Sequence, residues 1–217
     1  MTTTNAPAKL DHDDPRSVFA KSVSTADIAI AAVRPDQMTN PTPCGDYDVR
    51  ALLGHLLFVL DRVARVGRNE NPFAGPDTVD PLPDDAWLAA WTERARVARD
   101  AWTDDAALVR PTPLPWAPES GAQALGTYIA EVTVHTWDLA TAIGHTPDWD
   151  HHVLAAGLKA MRGALPAVGR KEMFAAIRAQ MGLSEAQMGD PYGPAVAVDG
   201  DAPLIDQLVA YNGRTAR

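Results

Sequence analysis

His55, Glu131 and His135 are the residues of this chain whose types and spacing could do chemistry together. Glu131 and His135 stand four residues apart. At about 100° per residue, that spacing puts a carboxylate and an imidazole one turn apart on one helix face. His135 also falls on an apolar stripe: Leu125, Tyr128, Val132, His135, Leu139 and Ala142. Such a stripe faces the interior, where an imidazole without a partner is costly. His55 lies in Leu52-Leu-Gly-His-Leu-Leu-Phe58 and is the only ionisable residue between Arg50 and Asp61. Gly54, beside it, is expected to let a neighbouring helix approach closely. Two imidazoles and a carboxylate from two helices make a three-ligand set with open positions, suited to zinc, nickel or iron(II). The competing reading is a hydrogen-bonded core histidine and a solvent-side Glu–His pair, and spacing alone does not separate the two.

Other chemistry-bearing residues surround this set. Asp138 lies seven residues after Glu131, near the same face. It could orient His135, as metal-bound imidazoles usually require, or tie its helix to a neighbour by a salt bridge. Trp116 and Trp137 could line a pocket beside the metal. Cys44 precedes a helix N-terminus, which can lower a thiol pKa, although a small buried cysteine reads equally well. His151 and His152 fit a solvated first turn, and His145 a loop after Gly144. The single cysteine excludes internal disulfides and any cysteine-based structural zinc site. Nucleophile-elbow, phosphate-loop and dinucleotide glycine patterns are absent from the sequence.

The elements that must position these groups are helices. Val18, Ser22, Ala26, Ala29 and Val33 mark a first helix over 15–35. Val49, Leu52, Leu56, Val59 and Val63 mark a second over 49–68, with Asp48 as its cap. Trp87, Trp91, Ala95, Ala98 and Trp102 give a third over 84–102 an apolar face. The fourth, over 121–143, carries Glu131 and His135 and stops at Gly144. Shorter helices are expected over 151–165, 170–181 and 202–211, with an extended piece at 195–198. Proline-rich loops separate them, including 111–118, a candidate pocket rim. The pattern predicts an all-α fold, a four-helix bundle with extra C-terminal helices. Residues 1–14 read as a flexible arm, and 15–217 as one domain with an extension from about 166.

Composition narrows the partners. In 217 residues, 19 basic side chains face 28 acidic ones, for a net charge of −9. That balance argues against nucleic acid and against an anionic membrane surface. No apolar run reaches the roughly 18 residues of a transmembrane helix, and no secretory leader is recognisable, so a cytoplasmic location is expected. Monomer and homodimer both fit.

Five stretches of the chain resemble a known family. Thr42-Pro-Cys-Gly-Asp-Tyr-Asp-Val-Arg-Ala-Leu-Leu-Gly-His55 resembles the second-helix entry of actinobacterial metal-binding bundles related to the N-terminal domain of mycothiol-dependent maleylpyruvate isomerase. Leu114-Pro-Trp116 with Glu131-Val-Thr-Val-His-Thr-Trp-Asp-Leu-Ala140 resembles their fourth-helix motif. Tyr192-Gly-Pro-Ala-Val-Ala-Val and Ala202-Pro-Leu-Ile-Asp-Gln-Leu resemble the tail of one subgroup. The resemblance implies a DinB-like bundle with a divalent metal held by His, Glu and His, at positions matching His55, Glu131 and His135. It also implies a low-molecular-weight thiol, mycothiol or bacillithiol, as cosubstrate. The isomerase carries a further C-terminal domain that this chain does not show. A thiol S-transferase or isomerase-like reaction on a small electrophile is therefore expected, with a metal-dependent hydrolase and a non-catalytic metal-stabilised bundle as the alternatives.

Overall fold

Four side chains start four of the helices. Asp14, Asp48, Ser120 and Asp150 each accept a backbone N–H from the first turn that follows, satisfying donors a helix start leaves free. The computed structural model describes residues 13–45, 47–74, 79, 82–185, 188–190 and 192–216; the expected arm falls almost wholly outside them. The helices are α1 (Pro15–Ala31), α2 (Val49–Gly67), α3 (Trp87–Asp100), α4 (Ala106–Val109), α5 (Gly121–Ile143), α6 (His151–Ala164), α7 (Arg170–Met181) and α8 (Leu204–Tyr211). Among the described residues there is no strand, only an isolated bridge between Pro41 and Asp48. The fold is all-α. No helix among them is long and apolar enough to cross a membrane.

Helices α1, α2, α3 and α5 pack in a ring, each against two neighbours, and α6 and α8 are added on the outside. The expected stripes fill the centre. Leu52, Leu56, Val59 and Val63 of α2 are fully buried, as are Trp91 of α3 and Leu125, Val132 and Leu139 of α5. Three local expectations need correction. The first helix stops at Ala31, because Pro35 has no N–H to continue it and holds Arg34 extended; a short 3-10 turn, Pro35–Gln37, follows. The third helix begins at Trp87, after a turn over 84–86. The segment at 195–198 forms no strand, although Ala195 and Val196 donate to the carbonyls of Ala167 and Ala210. The four-residue α4 is too short to show a period in the sequence.

Helices α2 and α5 run antiparallel. Their far ends meet at Trp102, whose indole N–H donates to the Val63 carbonyl at 3.1 Å and whose ring lies against Gly67 and Gly121. Gly121 is where the chain cannot carry a side chain: a Cβ there would lie 1.8 Å from the Ala107 carbonyl oxygen. Gly121→Ala is therefore expected to destabilise the bundle by about 3 kcal/mol, read from the urea midpoint. Gly54 does not serve close approach, since an added Cβ meets nothing within 4 Å among the described residues. Gly54→Ala should accordingly stabilise α2 by about 0.5–1 kcal/mol in the same measurement.

Candidate metal centre

At the other end of the α2–α5 seam, His55 faces Glu131 and His135. The two Nε2 atoms are 3.2 Å apart, and His55 Nε2 is 3.9 Å from Glu131 Oε1. One donor atom from each residue lies within 4.8 Å of the others. Ligands about 2.0–2.2 Å from a four-coordinate ion are about 3.3–3.6 Å apart. The donor set thus fits a divalent ion after small side-chain adjustments. The imidazoles meet edge to face, with ring centroids 4.6 Å apart. Tyr47 and Phe58 flank His55, at 5.5 and 6.2 Å between centroids.

The supporting contacts fix which atoms face the centre. The Tyr192 hydroxyl donates to Glu131 Oε2 at 3.1 Å, leaving Oε1 toward the imidazoles. His135 Nδ1 lies 3.1 Å from Asp138 Oδ2, which directs Nε2 inward. Asp138 is fully buried and accepts from Arg214 as well, Nε to Oδ1 at 3.2 Å and Nη2 to Oδ2 at 2.8 Å. One carboxylate thus contacts the His135 ring and ties the C-terminal tail to α5. Arg214 Nη2 also reaches Cys44 Sγ at 3.3 Å, and donor atoms of Cys44, His135 and Asp138 form a second group within 4.8 Å.

Charge is divided unequally between the two histidines. Burial, and then the neighbouring His135, hold His55 well below the usual imidazole range. Burial also acts downward on His135, but the hydrogen bonds to Asp138 and Cys44 outweigh it, and its pKa is pushed up to about 9. In the metal-free protein His135 therefore carries two N–H donors, to Asp138 and to the neutral His55 ring. Burial works against a charged Asp138, and His135 and Arg214 overcome it, so this carboxyl sits below its ordinary range. A divalent ion must displace the extra proton of His135. Zinc uptake near pH 7 should release about one proton, and apparent affinity should rise about tenfold per pH unit until levelling near the His135 pKa. Calorimetry in buffers of different ionisation enthalpy measures this; an affinity flat between neutral pH and that pKa would contradict it.

Residues 19–140 match the family described as the mycothiol maleylpyruvate isomerase N-terminal domain. The chain belongs to this family. The match includes His55, Glu131, His135 and Asp138, whereas Tyr192 and Arg214 lie beyond it. Two uncharacterized proteins of Mycobacterium tuberculosis, from two strains, are each 26% identical over 204 residues, covering 94% of this chain and 100% of theirs. No solved structure matches the chain significantly.

Beyond the region matched to the mycothiol maleylpyruvate isomerase N-terminal domain, the tail completes the surroundings. Trp116 is buried, with its centroid 6.3 Å from Phe73 and 6.4 Å from Tyr192, the residue that holds Glu131. Its loop is closed by Thr112, whose N–H and hydroxyl bond the carbonyls of Pro118 and Ala117. Trp137 lies elsewhere, in a hollow shared with Asn40, Thr42 and Arg214. His151 is exposed and His152 pairs with Asp13, while His145 stays in the loop after α5. Periodicity had no means of finding Tyr192 or Arg214, since both sit in irregular chain and reach the centre only through the tail's return.

Proposed function

We propose that this protein is a divalent-metal enzyme, with zinc the best fit, that transfers a low-molecular-weight thiol of the mycothiol type to a small electrophile. The observation that carries the reading is the convergence of His55, Glu131 and His135 at one end of the bundle, in a chain of a mycothiol-related family. Two imidazoles and one carboxylate leave coordination positions open for a cosubstrate. The ion would supply Lewis acidity, so that a thiol beside it loses its proton near neutral pH. His55 and His135 would hold it through Nε2 and Glu131 through Oε1. Tyr192 fixes the rotamer of Glu131, and Asp138 fixes that of His135. Phe58 beside His55, and Phe73 beside Trp116, would flank the electrophile with aromatic rings.

Titration of the cobalt-substituted protein with mycothiol, bacillithiol and cysteine tests this. Thiolate charge-transfer absorbance should grow in with mycothiol or bacillithiol at lower concentration than with cysteine. The Cys44→Ser variant should give the same bands, which assigns them to the added thiol. No spectral change with any thiol would remove the transferase reading and leave a hydrolase or a metal-binding bundle.

A further inference from the structure

Arg62 is a cation without a carboxylate partner among the described residues, in a chain where acidic side chains outnumber basic ones by 28 to 19. It is half-buried, and its Nε is buried with no hydrogen-bond partner. Its guanidinium lies 4.5 Å over the Phe58 ring, folded back one turn toward His55, and 5.7 Å from the Phe73 ring. A second buried polar group, on α5, also lacks a partner among the described residues. The Tyr128 hydroxyl is buried without a hydrogen bond, on a side chain only 1% exposed.

The register of the two helices brings these groups together. Arg62 is seven residues after His55 on α2, and Tyr128 is seven before His135 on antiparallel α5. Since His55 and His135 touch, Arg62 and Tyr128 stand at one level, two turns along the same seam. The positive charge of Arg62 acts on Tyr128, on Tyr192 and on His55, in keeping with that placement. Phe73 and Trp116 close the ring from Arg62 round to Tyr192 and Glu131.

Two unpartnered donors at one level of the seam, one of them cationic, lack an acceptor among the described residues. A buried donor left unsatisfied is costly, so the site gains when an anion arrives. The guanidinium fork matches a carboxylate in two parallel hydrogen bonds, and the hydroxyl supplies another. One guanidinium between aromatic walls balances one negative charge, which favours a carboxylate over a phosphate dianion. We propose that Arg62 and Tyr128 form a carboxylate subsite that anchors a small, apolar-bodied carboxylic acid with its reacting carbon toward His55, Glu131 and His135. The subsite's place in a reaction rests on the metal-enzyme reading above, but its ligand chemistry does not.

The test uses the full chain, metal-free and zinc-loaded, with benzoate as the probe and benzamide as its neutral isostere. Benzoate should bind the metal-free protein at least tenfold more tightly than benzamide. Arg62→Gln should weaken benzoate about 10- to 100-fold, and Arg62→Lys should restore only part of the loss. Tyr128→Phe should weaken it several-fold without lowering the melting temperature, because the lost hydroxyl has no partner among the described residues. Zinc content should be unchanged in all three variants. Equal binding of the two probes, no benzoate binding, or full affinity in Arg62→Gln would overturn the subsite. A wild-type protein that discriminates benzoate from benzamide but binds no divalent metal would keep the subsite and remove the metal-enzyme reading.

Discussion

His135→Ala is expected to lose more than 100-fold in zinc affinity while remaining a cooperatively folded helical protein. Its ring is the common member of both donor groups, facing His55 and Glu131 through Nε2 and Asp138 through Nδ1. Removing it leaves two ligands on different helices, which hold a first-row ion poorly. The loss should therefore exceed the 10–100-fold cost of deleting a supporting contact. The fold should persist, because Asp138 keeps Arg214 and the bundle centre is filled by leucine, valine and tryptophan. Metal content after equilibrium dialysis and a far-UV melt decide the matter together. Undiminished zinc would count against the assignment of this centre, and complete unfolding would make the ion structural.

Asp138→Asn should damage both stability and metal binding, by separable routes. The carboxylate is fully buried between an imidazole and a guanidinium. Neutralising it leaves Arg214 charged with its side chain largely enclosed and its main partner gone. Breaking one side of a buried ion pair costs about 3–5 kcal/mol, which the urea midpoint reads. The same change weakens the contact that directs His135 Nε2 inward, so zinc affinity should fall about 10–100-fold. Arg214→Gln removes the other partner and should also destabilise. In the double variant Asp138→Asn with Arg214→Gln, stability should recover relative to the single variants, because no uncompensated charge remains. Zinc affinity should not recover, since the His135 contact is still altered. Equal recovery of both quantities would show that Asp138 acts on the ion only through the fold.

These expectations lean on contacts that differ in how far the chain announced them. His55, Glu131 and His135 were readable because helical period is local. Three- and four-residue spacing places a side chain on the inner face whatever the partner helix is. The cap at Asp48, the stop at Gly144 and the loop prolines were readable for the same reason, each acting within a few residues. Gly54 misled, because a glycine on a helix announces missing volume without saying whether anything occupies it.

By itself, then, the sequence determined an all-α chain, the inner faces of its long helices, and a carboxylate and two imidazoles on them. Only the tertiary structure decided that α2 and α5 run antiparallel in the register that sets His55 against His135 and Arg62 level with Tyr128. It alone brought Tyr192 to Glu131 and Arg214 to Asp138, across separations of 61 and 76 residues. The reason is physical. Period and capping follow from backbone geometry over one or two turns. Register and tail docking follow instead from how whole faces interlock, as where Trp102 fills the space left by Gly67 and Gly121.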